Sequence, residues 1–449
     1  GDGSRYLSAV EIEVARRLPP ALNGALAWPT EDLNMTTTDA TVDATADMDA
    51  FRQRCRDFLE ENAKPLVLDG PDPRSDQSVA HSRAFQKKLY DAGLAGLTYA
   101  KEFGGQGLTK AHERTWREEY ARFPDCTGDL TISHGMCMPV MNDFGTDELK
   151  AEFMPRGIAG EDIWCQMFSE PGAGSDVASL QTKAERDGDQ YIINGQKVWT
   201  TLAHQSEYGI LVARTNPTVA KHAGISMFMV DMRDPAIEIR AIHQIDGGKH
   251  FNEVFFTDLH VPATWLLGEL NNGWNQATAM LMYERVAIGT GSKSGINTPF
   301  YNRLSNEATK LGLIHDPIVR QKLMKIYSDE TAKSLVAMRT RAEMKAGKAP
   351  GPGGSLGKLH GSNIMWDVRE MLHEFVGPQM VAWTDDDDGF DKNGESWSRM
   401  ALQSFMSSIA GGTDEIQKNI IGDRVLGLPR DISVDKGVPF NELTVGTQG

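Results

Sequence analysis

The stretch ATAMLMYERVAIG, residues 277–289, carries a single carboxylate among apolar side chains. Apart from Thr278, Glu284 and Arg285 nearly every position is apolar or aromatic, a pattern that predicts a helix buried around most of its circumference. Glu284 falls on the stripe Ala277, Leu281, Ile288. A carboxylate there must be paired or must lose its charge, because an isolated buried ion costs about several kcal/mol even after relaxation. Arg285 is no local partner, since adjacent helix residues project about 100° apart. Two readings follow: a buried pair with a residue elsewhere, or a general base of raised pKa lining a cavity.

A second stretch, IAGGTDEIQKNIIGDRVLGLP at 409–429, reads as a loop feeding a helix. Thr413 is a good N-cap, Asp414 and Glu415 put negative charge in the first turn, and Gly427 with Pro429 stops the helix. Gly411 and Gly412, just before the cap, form either a tight turn or a place where something approaches the backbone N–H groups closely. A third constellation is QMFSEPGAGSDVASLQTKA, residues 166–184, followed by INGQKVWTT at 193–201. EPGAGSD offers consecutive backbone donors and the Ser175 hydroxyl, a way to hold polar ligand groups without cations. Trp199 beside Thr200 and Thr201 combines an aromatic face with hydrogen-bonding groups, as a planar heterocycle needs; a β-turn and a core tryptophan are the alternatives.

The elements that must position these residues fall into three regions. From Met48 to about Arg156 the text is helical, with apolar residues at spacings of three and four. From about Gly157 to Val261 the runs QYIINGQKVWTT, YGILVART, GISMFMVDM, IEIRAIHQI and FNEVFFTDLHV are short, β-branched or aromatic, and separated by turn residues. After Pro262 long helices return. The expected fold class is α+β: an N-terminal helical domain over 48–156, a middle antiparallel barrel or sandwich over 157–262, and a C-terminal four-helix bundle over 263–449. Residues 1–47 are expected to be a leader or disordered tail. KAPGPGGSL (348–356) reads as a Gly/Pro break, and TDDDDGFDKNGES (384–396) as a solvated acidic loop.

Composition excludes several classes. The formal net charge of −16 disfavours nucleic acid or an anionic membrane as the main partner. Cys55, Cys126, Cys137 and Cys165 are scattered and form no CxxC pair, so neither a disulfide framework nor a metal site is expected and a cytoplasmic setting is. No apolar run is long enough to span a membrane. A phosphate-binding P-loop and the dinucleotide glycine fingerprint are both missing.

Taken together, SEPGAGSDVASLQTKA, YIINGQKVWTT, FNEVFFTDLHVP, YERVAIG and GGTDEIQKNIIGDRVLGLP resemble, in colinear order over about residues 48–430, the acyl-CoA dehydrogenase family of FAD flavoproteins. The resemblance implies FAD lying between the β domain and the C-terminal helices, in a homotetramer or homodimer. It implies that Phe168 and Ser169 meet the flavin pyrimidine edge, that Trp199 and Thr201 form the wall and hydroxyl beside flavin N5, and that Thr413 and Glu415 meet the adenosine half. It also implies that Ser175 meets the pantetheine or phosphate part of acyl-CoA and that Arg285 flanks the substrate channel. Many members carry the α-proton base just before the last helix, where this chain has Gly411; a second group carries it where this chain has Glu284. The implied activity is α,β-dehydrogenation of an acyl-CoA to a trans-2-enoyl-CoA, with electrons passed to an electron-transfer flavoprotein. Two departures stand out: no Arg-x-x-Phe-Gly signature occurs in residues 306–321, and the glycine-rich turn is reduced to EFVGPQM at 374–380. They raise as alternatives a flavin-sharing subunit of a heteromeric dehydrogenase and, separately, an acyl-CoA oxidase.

Overall fold

Hydrophobic period sets the architecture, and the computed structural model describes it over residues 39–68, 74–289, 296–346, 353–381, 397–430, 432 and 435–443. The chain divides into two compact units, Gly1–Ala50 and Phe51–Gly449. Of the segment 1–47 read as a leader or disordered tail, residues 1–38 lie outside the described residues and 39–47 are helical; the acidic run 384–396 and most of the Gly/Pro break also lie outside them. Helix α1 (Asp39–Asn62) begins nine residues before Met48, the start read from the sequence. It is followed by α2 (Asp76–Asp91), α3 (Lys110–Tyr120), α4 (Met138–Phe144) and α5 (Asp147–Ile158). Between these helices Arg52 and Arg56 converge on the buried Glu119, at 2.6 and 2.7 Å, and their hydrogen bonds hold its carboxyl at about 2.

A single eight-stranded sheet follows: β1 (Trp164–Met167), β2 (Lys183–Asp187), β3 (Gln190–Thr201), β4 (Tyr208–Arg214), β5 (Ile225–Asp231), β6 (Ile237–Ile242), β7 (Phe251–Pro262) and β8 (Leu266–Leu267). The order is β6-β7-β3-β2-β4-β5-β8, with β1 paired to β4. The sheet is antiparallel apart from β4, which pairs in parallel with β1 and, at one position, with β2, a feature the strand pattern did not reveal. β4 and β5 are nearly continuous apolar runs because both of their faces are covered, whereas β7 alternates in its first half. Cys165, Leu211, Phe228, Val254 and Leu259 lie in its core.

The C-terminal helices are α6 (Gly273–Gly289), α7 (Pro299–Lys310), α8 (Pro317–Lys345), α9 (Gly353–Val376), α10 (Trp397–Ser407) and α11 (Asp414–Arg424). This mixed architecture is of the α+β class. Gly273 lets α6 start against the sheet: a Cβ there would lie 2.7 Å from Ser226 Cα on β5. Two details differ from the sequence reading. α9 starts at Gly353, inside the Gly/Pro break, and α7 is an additional helix whose Leu304 and Ala308 enter the core beside Ile326, Val368 and Leu372.

A π-helical turn at Ser133–Cys137 precedes α4 and packs against α6. Both ring nitrogens of His134 within it are buried, and burial lowers its pKa to about 4. The unfolded chain takes up this proton near pH 6.5 and the folded chain does not, so stability is complete above that pH and falls as pH drops toward 4. About 3 kcal/mol should be lost over this window, at 1.36 kcal/mol per pH unit. Denaturation midpoints of wild type and His134→Leu measured from pH 7 to 4.5 check this; parallel pH profiles would refute it.

Candidate active site

Two groups of side chains are assembled, one by the sheet and one by the C-terminal helices. On the sheet, the Val198 N–H donates to the Ser169 carbonyl at 2.9 Å, carrying the chain that leaves β1 alongside β3. The β3–β7 register slips between Lys197 and Thr200, and at that bulge Trp199 adopts φ +61. Non-glycine residues rarely occupy this region, and both bulges and such strain concentrate at functional sites. The consequence is that Trp199 is not a core residue: 58 % of it is exposed, and its ring stands edge-on to Phe251, 5.9 Å away, on β7. Thr201 pairs with Phe251 and is half-buried. The sheet therefore brings the backbone of Ser169 beside the segment that carries Trp199 and Thr201, while the neighbouring Phe168 is buried.

A buried ion pair braces this edge. Lys197 Nζ, wholly inaccessible, donates to the Phe168 carbonyl at 3.0 Å and to Glu170 Oε1 at 2.7 Å. Glu170 also accepts from the Gln181 and Thr182 amides at 2.6 and 3.0 Å. Burial alone would raise the Glu170 pKa, but the Lys197 ammonium and these hydrogen bonds hold it below the ordinary carboxylate value. For Lys197 burial wins and its pKa is lowered, with Glu170 offsetting part of the effect. This pair escaped the sequence reading, although a lysine between Gly195 and Trp199 in an otherwise strand-like run was a visible oddity.

On the helices, Glu284 lies on α6 and faces the loop before α11. A Cβ built on Gly411, which has φ +67, would meet one atom within 4 Å: Glu284 Oε1, at 3.5 Å. The carboxylate thus stands beside Gly411, where the loop carries no side chain of its own. Glu284 is half-buried, not fully enclosed as the apolar pattern predicted. α6 buries Ala277 and Met280, but Met282 is 45 % exposed, and the Tyr283 hydroxyl donates to Asp143 on α4. The side chain of Arg285 lies outside the described residues.

The loop itself is fixed from three sides. Gln417, one turn into α11, donates to the carbonyls of Gly411 and Gly412 at 2.9 and 3.4 Å. Thr413 caps α11 by accepting from the Ile416 N–H at 3.2 Å. Asp414 accepts from Lys358 on α9 at 2.9 Å, and its N–H donates to the Ser408 carbonyl. Glu415 is exposed, its carboxylate 3.9 Å from Lys418. Ser175 sits in an exposed turn on the sheet side. The two groups are latched together by the β6–β7 connection: Arg399 and Gln403 on α10 donate to the Asp246 carbonyl and carboxylate, both at 3.0 Å. That connection runs into His250 and Phe251, beneath Trp199. Among the described residues no cluster of His, Cys, Asp or Glu suits a metal ion.

Comparison with known proteins decides the family. Three family models match in order: acyl-CoA dehydrogenase N-terminal domain over residues 45–161, middle domain over 165–259 and C-terminal domain over 271–426. The chain belongs to the acyl-CoA dehydrogenase family. A relative from Mycobacterium tuberculosis, acyl-CoA dehydrogenase IpdE1, is 36 % identical over 86 % of this chain and 99 % of its own length. The mitochondrial long-chain specific acyl-CoA dehydrogenase of Mus musculus is 31 % identical over 84 % and 86 %. Among solved structures, the ChsE4-ChsE5 complex from Mycobacterium tuberculosis superposes with a TM-score of 0.68 at 27 % identity, over 89 % of this chain and 100 % of that one. The Tcur3481-Tcur3483 steroid ACAD gives a TM-score of 0.70 at 25 % identity, over 86 % and 98 %.

Membership makes this chain an FAD flavoprotein and an oxidoreductase acting on CH–CH groups of acyl-CoA thioesters. The site fits that cofactor chemically. An exposed tryptophan ring held out by a strained backbone offers a flat apolar wall, and the half-buried Ser169 and Thr201 bring hydroxyl-bearing residues to the adjoining backbone. No helix of the described residues is long and apolar enough to cross a membrane.

Proposed function

We propose that this chain dehydrogenates an acyl-CoA at its α,β bond with Glu284 as the base that takes the α proton. The observation that carries this reading is the carboxylate of Glu284, one oxygen of which stands 3.5 Å from the Cβ position of Gly411, the nearest atom to that position among the described residues. In this reading the Gly411 N–H donates to the thioester oxygen, which gathers negative charge as the α proton leaves, and the loop's hydrogen bonds keep that donor in place beforehand. FAD bound beside these residues would supply the acceptor for the β hydrogen as hydride, giving a trans-2-enoyl-CoA. Phe168, Ser169, Trp199 and Thr201 hold the flavin ring, Thr413 and Glu415 its adenosine half, and Ser175 and Arg285 the substrate. Reoxidation is by an electron-transfer flavoprotein.

The acyl group in this reading is bulky and ring-bearing, supported by the likeness to the Tcur3481-Tcur3483 steroid ACAD. Anaerobic mixing of the FAD-loaded protein with a panel of straight, branched and ring-bearing acyl-CoAs tests both statements through flavin bleaching. Bleaching strongest with ring-bearing thioesters is expected; none with any thioester would sink the dehydrogenase reading.

A heteromeric assembly is supported by a separate observation, that the ChsE4-ChsE5 neighbour is a complex of two different chains. Protein that is colourless when made alone and gains flavin on co-expression with a second dehydrogenase-like chain would favour it over a homotetramer.

A further inference from the structure

The family models end at residue 426, yet the chain continues and residues 435–443 return to the sheet. Pro439 bridges to Ala220, the Phe440 N–H donates to the Val219 carbonyl at 2.8 Å, and the Asn441 N–H to the Pro217 carbonyl at 2.9 Å. Phe440 is buried against the face of the Arg214 guanidinium, 3.7 Å from ring centroid to Cζ. Arg214, itself almost wholly buried, donates to the Ala178 carbonyl at 2.5 Å. Lys221 bridges Asp176 at 2.7 Å and Asp435 at 2.5 Å. Two separate chains of contact therefore run from this segment to the residues that follow Ser175.

Within the turn they reach, Glu170 and Ala173 exchange backbone hydrogen bonds at 3.1 and 3.0 Å and Ser179 donates to Asp176 at 2.5 Å, while the tip between them stands open. Residues 171, 172 and 174–176 are exposed, and a Cβ at Gly174 would touch nothing within 4 Å. Its upstream end is fixed by Glu170 and Lys197, and its downstream end by Asp176, Ala178 and their partners Lys221 and Arg214. We propose that residues 435–443 act as a positioning strap, which through Phe440–Arg214 and Asp435–Lys221 holds the Ser175 turn in the shape that receives the pantetheine or phosphate part of coenzyme A. The coenzyme A role rests on the function proposed above; the mechanical link stands on the contacts alone.

Two readouts on the FAD-loaded full chain separate these parts. Hydrogen–deuterium exchange is followed over residues 171–180 and, as internal reference, over β5. Binding of coenzyme A itself is followed by calorimetry. Phe440→Ala and Asp435→Asn should speed exchange at 171–180 while leaving β5 and flavin content unchanged, and should weaken coenzyme A roughly tenfold, about the worth of one well-placed polar contact. Asp435→Glu should restore both. Unchanged exchange at 171–180 in both variants would overturn the strap. Faster exchange with unaltered coenzyme A affinity would overturn its positioning role. Wild type that binds no coenzyme A would overturn both that role and the dehydrogenase reading, whatever exchange shows.

Discussion

Glu284→Gln is expected to keep its flavin and its fold while turnover falls by about 100- to 10,000-fold, the usual span for removing a general base. The substitution preserves shape and removes the carboxylate beside Gly411 that accepts the proton in this reading. Because Glu284 is half-buried, the amide is tolerated, so flavin absorbance and melting temperature should stay near wild type. Adding Gly411→Glu to this variant presents a carboxylate from the opposite wall. The Cβ has room, since its nearest neighbour is the residue-284 carboxyl at 3.5 Å, but φ +67 strains any side chain there, so recovery should be partial. Steady-state assays of the single and double variants check both effects. Retention of most activity by Glu284→Gln would remove it as the base.

Lys197→Met should be the most damaging change on the sheet side. It leaves the buried Glu170 without its ammonium partner, held by its hydrogen bonds to Gln181 and Thr182, and takes the Lys197 donor from the Phe168 carbonyl. Breaking a buried pair from one side costs about 3–5 kcal/mol, whereas replacing both members by apolar residues is often near neutral. Lys197→Met should therefore lower the melting temperature sharply and release flavin. Lys197→Met with Glu170→Leu should regain much of the stability but not the flavin affinity, because the Phe168 carbonyl loses its bond from Lys197. Thermal melts and flavin fluorescence of the three proteins separate these effects. Equal stability of the single and double variants would contradict an ion pair acting as a unit.

What could be read in advance depended on the range of the interaction. Strands β3, β4 and β7 were legible because their period and turn residues are local, and the cap at Thr413 because capping involves only the next three residues. Glu284 and Gly411 could be singled out as oddities, a carboxylate on an apolar helix and a paired glycine before a cap. That they face each other across 127 residues of chain is a tertiary fact that neither local pattern contains. The depth of Glu284 was misjudged for a related reason: apolar composition marks a surface to be covered, but not how much this chain covers by itself. The Lys197–Glu170 pair and the latch of Arg399 and Gln403 onto Asp246 join segments 27 to 157 residues apart, beyond any window of periodicity. Leu304 and Ala308 of α7 lie at helical spacing, so the signal for that helix is local and present in the sequence.

The central claim, that Glu284 starts the reaction from its place over Gly411, is tested most directly by flavin reduction in a single turnover. Wild type and Glu284→Gln, both FAD-loaded, are mixed anaerobically with saturating acyl-CoA that has bleached the wild-type flavin. The account predicts that the variant binds the thioester, seen as a perturbed flavin spectrum, yet reduces at least about 100-fold more slowly. Bleaching of Glu284→Gln at the wild-type rate would contradict it.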